Sequence, residues 1–290
     1  MIDRRDFILG SGAAVAALSF GDSPAFGVSP ALPIAIDPGG RLTQGGWLRG
    51  RVAPGIRALT LDGQPVPFAS DGKFLIAFDR DSGPAAQLLA VQTNGKNFTQ
   101  PLTISPRGWQ IEHINAARRP GGITDENYAR LRKAELARIS AARRIETSAQ
   151  GWRQDFVRPA PGRFSGRFGS QRVYRGVPGA YHSGLDIAGG ANTPYVAPAD
   201  GVVILAASAP FSLEGNLLMI DHGMGLNSAF LHSAQLLVKE GDAVKRGQQI
   251  GRIGATGRAT GPHLHWSIKW NERRLDPLLM LPVQPAPAAR

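Results

Sequence analysis

Turn-forming dipeptides break the first third of the chain at short intervals: Gly39-Gly40, Pro54-Gly55, Asp62-Gly63, Asp71-Gly72 and Asn94-Gly95. Between them the chain has room only for short strands joined by tight turns. Lys73 to Phe78 and Gln87 to Val91 carry the apolar residues of a core. With 36 Gly and 22 Pro in 290 residues, the fold class expected is mainly β, beginning with a small N-terminal β-sandwich.

One stretch departs from this pattern. A linker rich in Pro, Gly and Arg leads to Thr124, a helix N-cap candidate, with Asp125 and Glu126 in the first turn, where negative charge suits the helix dipole. Tyr128, Leu131, Ile139 and Ala142 predict one buried stripe, and Arg130, Lys133, Arg138, Arg143 and Arg144 a solvated basic face. Strands resume beyond Gly162, at Val196 to Leu205, Leu217 to Asp221, Ser228 to His232 and Leu264 to Trp270; Gly241 to Gly251 reads as a turn flanked by strands. The expected organisation is a signal segment (1–27), a β-sandwich (28–105), a linker and helix (106–157), a C-terminal domain (158–283) and a tail (284–290).

Several classes are set aside early. No cysteine is present, which excludes disulfides and a cysteine nucleophile. No apolar run reaches the roughly 18 residues needed to span a bilayer. Arg4-Arg5-Asp6-Phe7-Ile8, a weakly apolar stretch to Phe20 and the small-residue exit Ser23-Pro24-Ala25 resemble a twin-arginine export signal, which predicts a periplasmic or envelope location. A net charge of +11 suits polyanions, and an exported chain meets anionic wall polymers sooner than nucleic acid, for which no aromatic-basic motif is present.

Histidines and a carboxylate carry the chemistry. His182-Ser183-Gly184-Leu185-Asp186 and His263-Leu264-His265 offer imidazole and carboxylate donors, the set a borderline metal takes where no thiolate is available. On an extended strand His263 and His265 point to one face, whereas His182 and Asp186 would stand about 13 Å apart unless the chain bends, as Gly184 permits. A catalytic zinc keeps three protein ligands and one open position. His182, Asp186 and one histidine of the closing pair supply that count. Spacing alone leaves open which of His263 and His265 binds metal. The other, together with His232, is available to move protons. His222 reads as part of a hairpin turn and His113 as structural or solvated.

Taken with Ser165-Gly166-Arg167-Phe168-Gly169, Val196 to Gly201, Ile220 to Gly223 and Thr260 to His265, these segments resemble the lysostaphin and LytM family of zinc metallopeptidases, from about Arg163 to Leu281. The resemblance implies a twisted antiparallel sheet of duplicated hybrid motif type and cleavage of peptide cross-links in bacterial peptidoglycan. It also implies one Zn2+ per chain on His182, Asp186 and His265, with His232 and His263 assisting catalysis. The family's tyrosine two residues before the histidine matching His232 is here Phe230. A rival expectation is a catalytically silent wall-binding regulator that activates amidases, as in relatives that have lost ligands.

Overall fold

The computed structural model describes residues 32–115, 126–207 and 209–282. The segment resembling an export signal, together with Thr124, Asp125 and the C-terminal tail, lies outside them. The described residues belong to one compact unit.

The N-terminal strands form two antiparallel sheets. Ile34–Ile36, Trp47–Val52 and Lys73–Ala77 make a three-stranded sheet, while Gln64–Pro65, Ile56–Leu61, Ala85–Gln92 and Asn97–Thr103 make a four-stranded one. Positive φ at Gly55, Gly63, Gly72 and Gly95 closes the turns between them, as the dipeptides require. Phe74, Ile76, Phe78, Leu61 and Leu88 fill the space inside.

A ten-stranded antiparallel sheet follows, whose main path runs Ala243–Val244, Gly201–Ala206, Asn216–Asp221, Leu226–Leu236, Leu264–Trp270, Leu185–Ala188 and Arg163–Gly166. The expected strand from Val196 to Leu205 is two strands, Pro194–Val196 and Gly201–Ala206, because Ala197-Pro198-Ala199-Asp200 turns the chain between them. Ile111–Ile114, read from the sequence as linker, forms a strand parallel to Gln171–Tyr174.

Alternation gives the large sheet two unlike faces. Leu264, Trp266 and Ile268, together with Leu226, Ser228 and Phe230, point into the main core. His265, Ser267 and Lys269, and Asn227, Ala229 and Leu231, belong to the other face. The helix Glu126–Arg143 covers part of that second face, packing Ile139 and Ala142 over Leu217, Met219 and Ala229. Its buried stripe agrees with the sequence reading at Ile139 and Ala142 but not at Leu131. Leu131 is 52% exposed and Glu135 only 6%. The stripe holds charge because Arg132 hydrogen-bonds both Glu214 carboxylate oxygens at 2.7 Å and Glu135 at 2.9 Å, while Glu135 accepts from the backbone N–H and hydroxyl of Ser212. Pairing of this kind offsets the cost of burying charge.

Candidate metal centre

Local folding brings His182, Asp186 and His265 together. Asp186 stands opposite His265 in neighbouring strands and therefore shares its face, and the chain bends at Gly184 to return His182 to the same point. One donor atom from each residue lies within 4.8 Å of the other two. His182 Nε2 is 3.0 Å from Asp186 Oδ1 and 3.1 Å from His265 Nδ1, and His265 Nδ1 is 2.8 Å from the same oxygen. A tetrahedral zinc with bonds near 2.0–2.1 Å holds its ligand atoms about 3.3 Å apart, so the donor set fits that ion after an expansion of a few tenths of an ångström. His182 Nδ1 faces the Arg167 carbonyl at 3.1 Å; donating its proton there leaves Nε2 as a lone-pair donor.

Two glycines make room for this cluster. A Cβ on Gly166 would come within 2.3 Å of Asp186 Oδ2, and one on Gly184 within 2.6 Å of His265 Nε2. Gly184 is not among the glycines with positive φ; the need there is for space beside the imidazole rather than for backbone freedom.

His232 and His263 stand beside the cluster. Their ring centroids are 4.9 Å apart, His232 lies 6.4 Å from the His265 ring, and His263 Nε2 is 3.8 Å from Asp186 Oδ1. His232 Nδ1 faces the Thr256 carbonyl and His263 Nδ1 the Gly261 carbonyl, each at 2.8 Å. With the proton held on Nδ1 in both rings, both Nε2 atoms are left as acceptors. His232 has φ 64, and around it the strand stops pairing with Leu264–Trp270 and takes up Gln249–Ile253. Such a break in the ladder re-aims one side chain, and a positive φ in a non-glycine residue at this point is strain held by the surrounding structure.

Electrostatics follow from burial and partners. Burial opposes ionisation of Asp186, but hydrogen bonds from His182 and His265 outweigh it and hold the carboxyl far below the usual range. Burial also disfavours the charged form of His182, yet Asp186 raises its pKa overall. Burial dominates at His265 and His232 and lowers both. A groove of about 860 Å3, lined by Gly166, Tyr174, Tyr181 and Arg258, opens beside His182 and Asp186.

The other histidines fall elsewhere. His222 follows the strand Asn216–Asp221 at the expected turn, but its ring is fully buried, between the Asp200 carbonyl and the Ser228 hydroxyl at 2.8 Å each. His113 is exposed. Phe230 faces the main core and stacks on Tyr195 at 5.5 Å, so its ring packs away from the donor cluster. Asn216 donates its side-chain amide to the Ser233 carbonyl at 2.9 Å and braces the strand. Sequence reasoning missed Thr256, whose carbonyl orients His232 and whose hydroxyl accepts from the Asn216 N–H. Nothing in local sequence marks a carbonyl as an orienting group.

The profile of Peptidase family M23 matches residues 180–277, the stretch that holds the donor cluster and both flanking histidines. The chain carries a peptidase M23 domain. The resemblance to lysostaphin and LytM peptidases is borne out by this match. The chain is 44% identical over 89 residues to the peptidoglycan DD-endopeptidase ShyA of Vibrio cholerae, covering 31% of this chain and 20% of that protein. It is 38% identical over 124 residues to a lipoprotein NlpD/LppB homolog of Pseudomonas aeruginosa, covering 43% of this chain and 39% of that one. The chain thus spans about a fifth of the length of the first of these relatives. A crystal structure of a candidate peptidase M23 from Pseudomonas aeruginosa superposes with a TM-score of 0.64 at 27% identity, over 83% of this chain and 95% of that one. That coverage extends beyond the M23 domain.

Proposed function

We propose that this chain is an exported zinc metallo-endopeptidase that hydrolyses peptide cross-links of bacterial peptidoglycan in the periplasm or cell envelope. One observation carries the proposal: three donor atoms from His182, Asp186 and His265 converge within 4.8 Å beside an open groove, with two further histidines at their side. Those three residues would hold one Zn2+. An ion bound there would supply the Lewis acidity and the acidified water that peptide hydrolysis at neutral pH needs.

The remaining work falls to the chain. His232 Nε2 or His263 Nε2 accepts a proton from the attacking water and returns it to the leaving amine, and the backbone carbonyls of Thr256 and Gly261 hold each ring in the tautomer that allows it. Burial helps keep His232 neutral and therefore able to accept at neutral pH. The groove admits the stem peptides, and the bond cleaved would join D-alanine to meso-diaminopimelate.

Similarity to the NlpD/LppB homolog, and to the murein hydrolase activator NlpD of Salmonella dublin, favours a second reading as an amidase activator. The full donor set with its two flanking histidines weighs against it, since activation alone requires none of them. Digestion of purified sacculi with and without chelator, read by mass spectrometry, decides. Cross-link cleavage that stops with chelator supports the enzyme; none in either condition, with amidase stimulated instead, supports the activator.

A further inference from the structure

A second pocket, about 240 Å3, lies on the sheet face that carries His265, where the helix Glu126–Arg143 meets the strands. We propose that this pocket, built on Arg143, Lys269 and Arg274, binds a carboxylate of the peptide substrate away from the bond that is cleaved. The proposal rests on the peptidoglycan reading for its ligand, a stem peptide, but not for its chemistry.

Register defines the place. Leu231, His265 and Asp186 form one row across three strands, and Asn227, Lys269 and Arg274 form a second row across the same sheet. Lys269 follows His265 by four residues on the same face, so the rows stand about 13 Å apart. An extended peptide covers that span in about four residues, and fewer when the acidic group is on a side chain. His265 lines the basic pocket as well, so the floor between the rows is continuous.

The charge in the second row is only partly offset, because the one carboxylate there, Glu272, faces Lys269, Arg143 and Arg274 together. Lys269 and Arg274 face each other directly across neighbouring strands, an arrangement of like charges that costs stability. Arg143 comes down from the helix and donates to Asn227 Oδ1 at 2.5 Å. Glu272 pairs with Lys269 at 2.8 Å but is 95% exposed, and Arg132 is already held by Glu135 and Glu214. Among the described residues neither Arg143 nor Arg274 has an ion pair. Burial pushes Arg143 down to about 10, and the charge of Arg274 pushes the same way, yet it stays cationic at neutral pH. Two guanidinium groups and an ammonium held together on a groove floor suit a bidentate carboxylate.

Calorimetric titration of the full chain with a stem tetrapeptide containing meso-diaminopimelate, as the free acid and with its carboxyls amidated, tests this. The acid is expected to bind about tenfold more tightly than the amide, as befits charge-assisted hydrogen bonds. That preference should fall to about twofold or less in Arg143→Gln and in Arg274→Gln. Arg274 is exposed, so its variant keeps the test available if Arg143→Gln does not fold. Equal affinity for acid and amide, binding of neither, or an unchanged preference in Arg274→Gln overturns the subsite. Binding needs no turnover. A chain that prefers the acid but releases nothing from sacculi keeps the subsite and loses the endopeptidase; one that cleaves sacculi and binds both forms alike does the reverse.

Discussion

Two halves of one sheet face have opposite fates here. At one end of the face a helix closes over Leu217, Met219 and Ala229, and its charges are absorbed in the network of Arg132, Glu135 and Glu214. Towards the other end the face is open, and Asp186, His265 and His182 meet beside a groove. Both halves use the same alternating register, so strand geometry does not separate scaffold from site. The difference lies in what covers them. Where polar groups are covered they are paired within the protein. Where they are left open, His182 Nε2, His265 Nδ1 and Asp186 Oδ1 converge on one another, an arrangement that mutual hydrogen bonding serves poorly and a cation serves well.

Removing donors from the open half should have the largest effect. His182→Ala, Asp186→Ala or His265→Ala is expected to reduce bound zinc from one per chain to near zero, and turnover of sacculi by about a thousandfold or more. Metal analysis beside the digestion assay checks both; a variant that keeps stoichiometric zinc would remove that residue from the set. His232→Ala comes next. It should retain zinc while turnover falls by about a hundredfold or more, the usual contribution of a positioned acid–base group. Loss of zinc in that variant would make His232 a ligand instead.

In the covered half the expected effect is on stability. Glu135→Ala leaves the Ser212 N–H and hydroxyl without their acceptor and removes one partner of Arg132. A loss of about 3 kcal/mol in denaturant unfolding follows for a broken buried network, with zinc content unchanged. If zinc falls along with stability, the two halves are coupled and the contrast between them fails.

The sequence displayed the open half better than the covered one. Imidazole and carboxylate at His182, Asp186 and His265 are chemically distinctive, and the alternation around Leu264–Trp270 fixed which face they share. The N-terminal strands were legible for a similar reason, since each turn had its glycine. The helix was found, with Ile139 and Ala142 correctly in its buried stripe, but Leu131 was read as core and Glu135 was not singled out, because the partners of that buried network, Glu214 and Ser212, lie about eighty residues away. Long-range pairing of that kind leaves no local periodicity. Lys269 and Arg274 likewise come side by side only through strand register, which no local pattern announces.

His222 gives the smallest effect and the sharpest internal control, being a histidine the M23 domain buries without placing it in the open half. Burial drives its pKa down to about 4, so it is neutral in the fold and becomes protonated more readily in the unfolded chain, where the value is about 6.5. A depressed value in a base means that its contribution to stability is complete above about 6.5 and drains away as the pH falls from there towards 4. Between pH 7 and 5 the wild type should therefore lose about 2 kcal/mol through this group alone. His222→Gln, which keeps a polar side chain near Ser228 and Asp200 but cannot titrate, should be less stable at pH 7 and lose less on acidification. Urea unfolding of both proteins at the two pH values measures the difference. Parallel losses would show that acid sensitivity comes from other groups, with the histidines of the open half the first to examine.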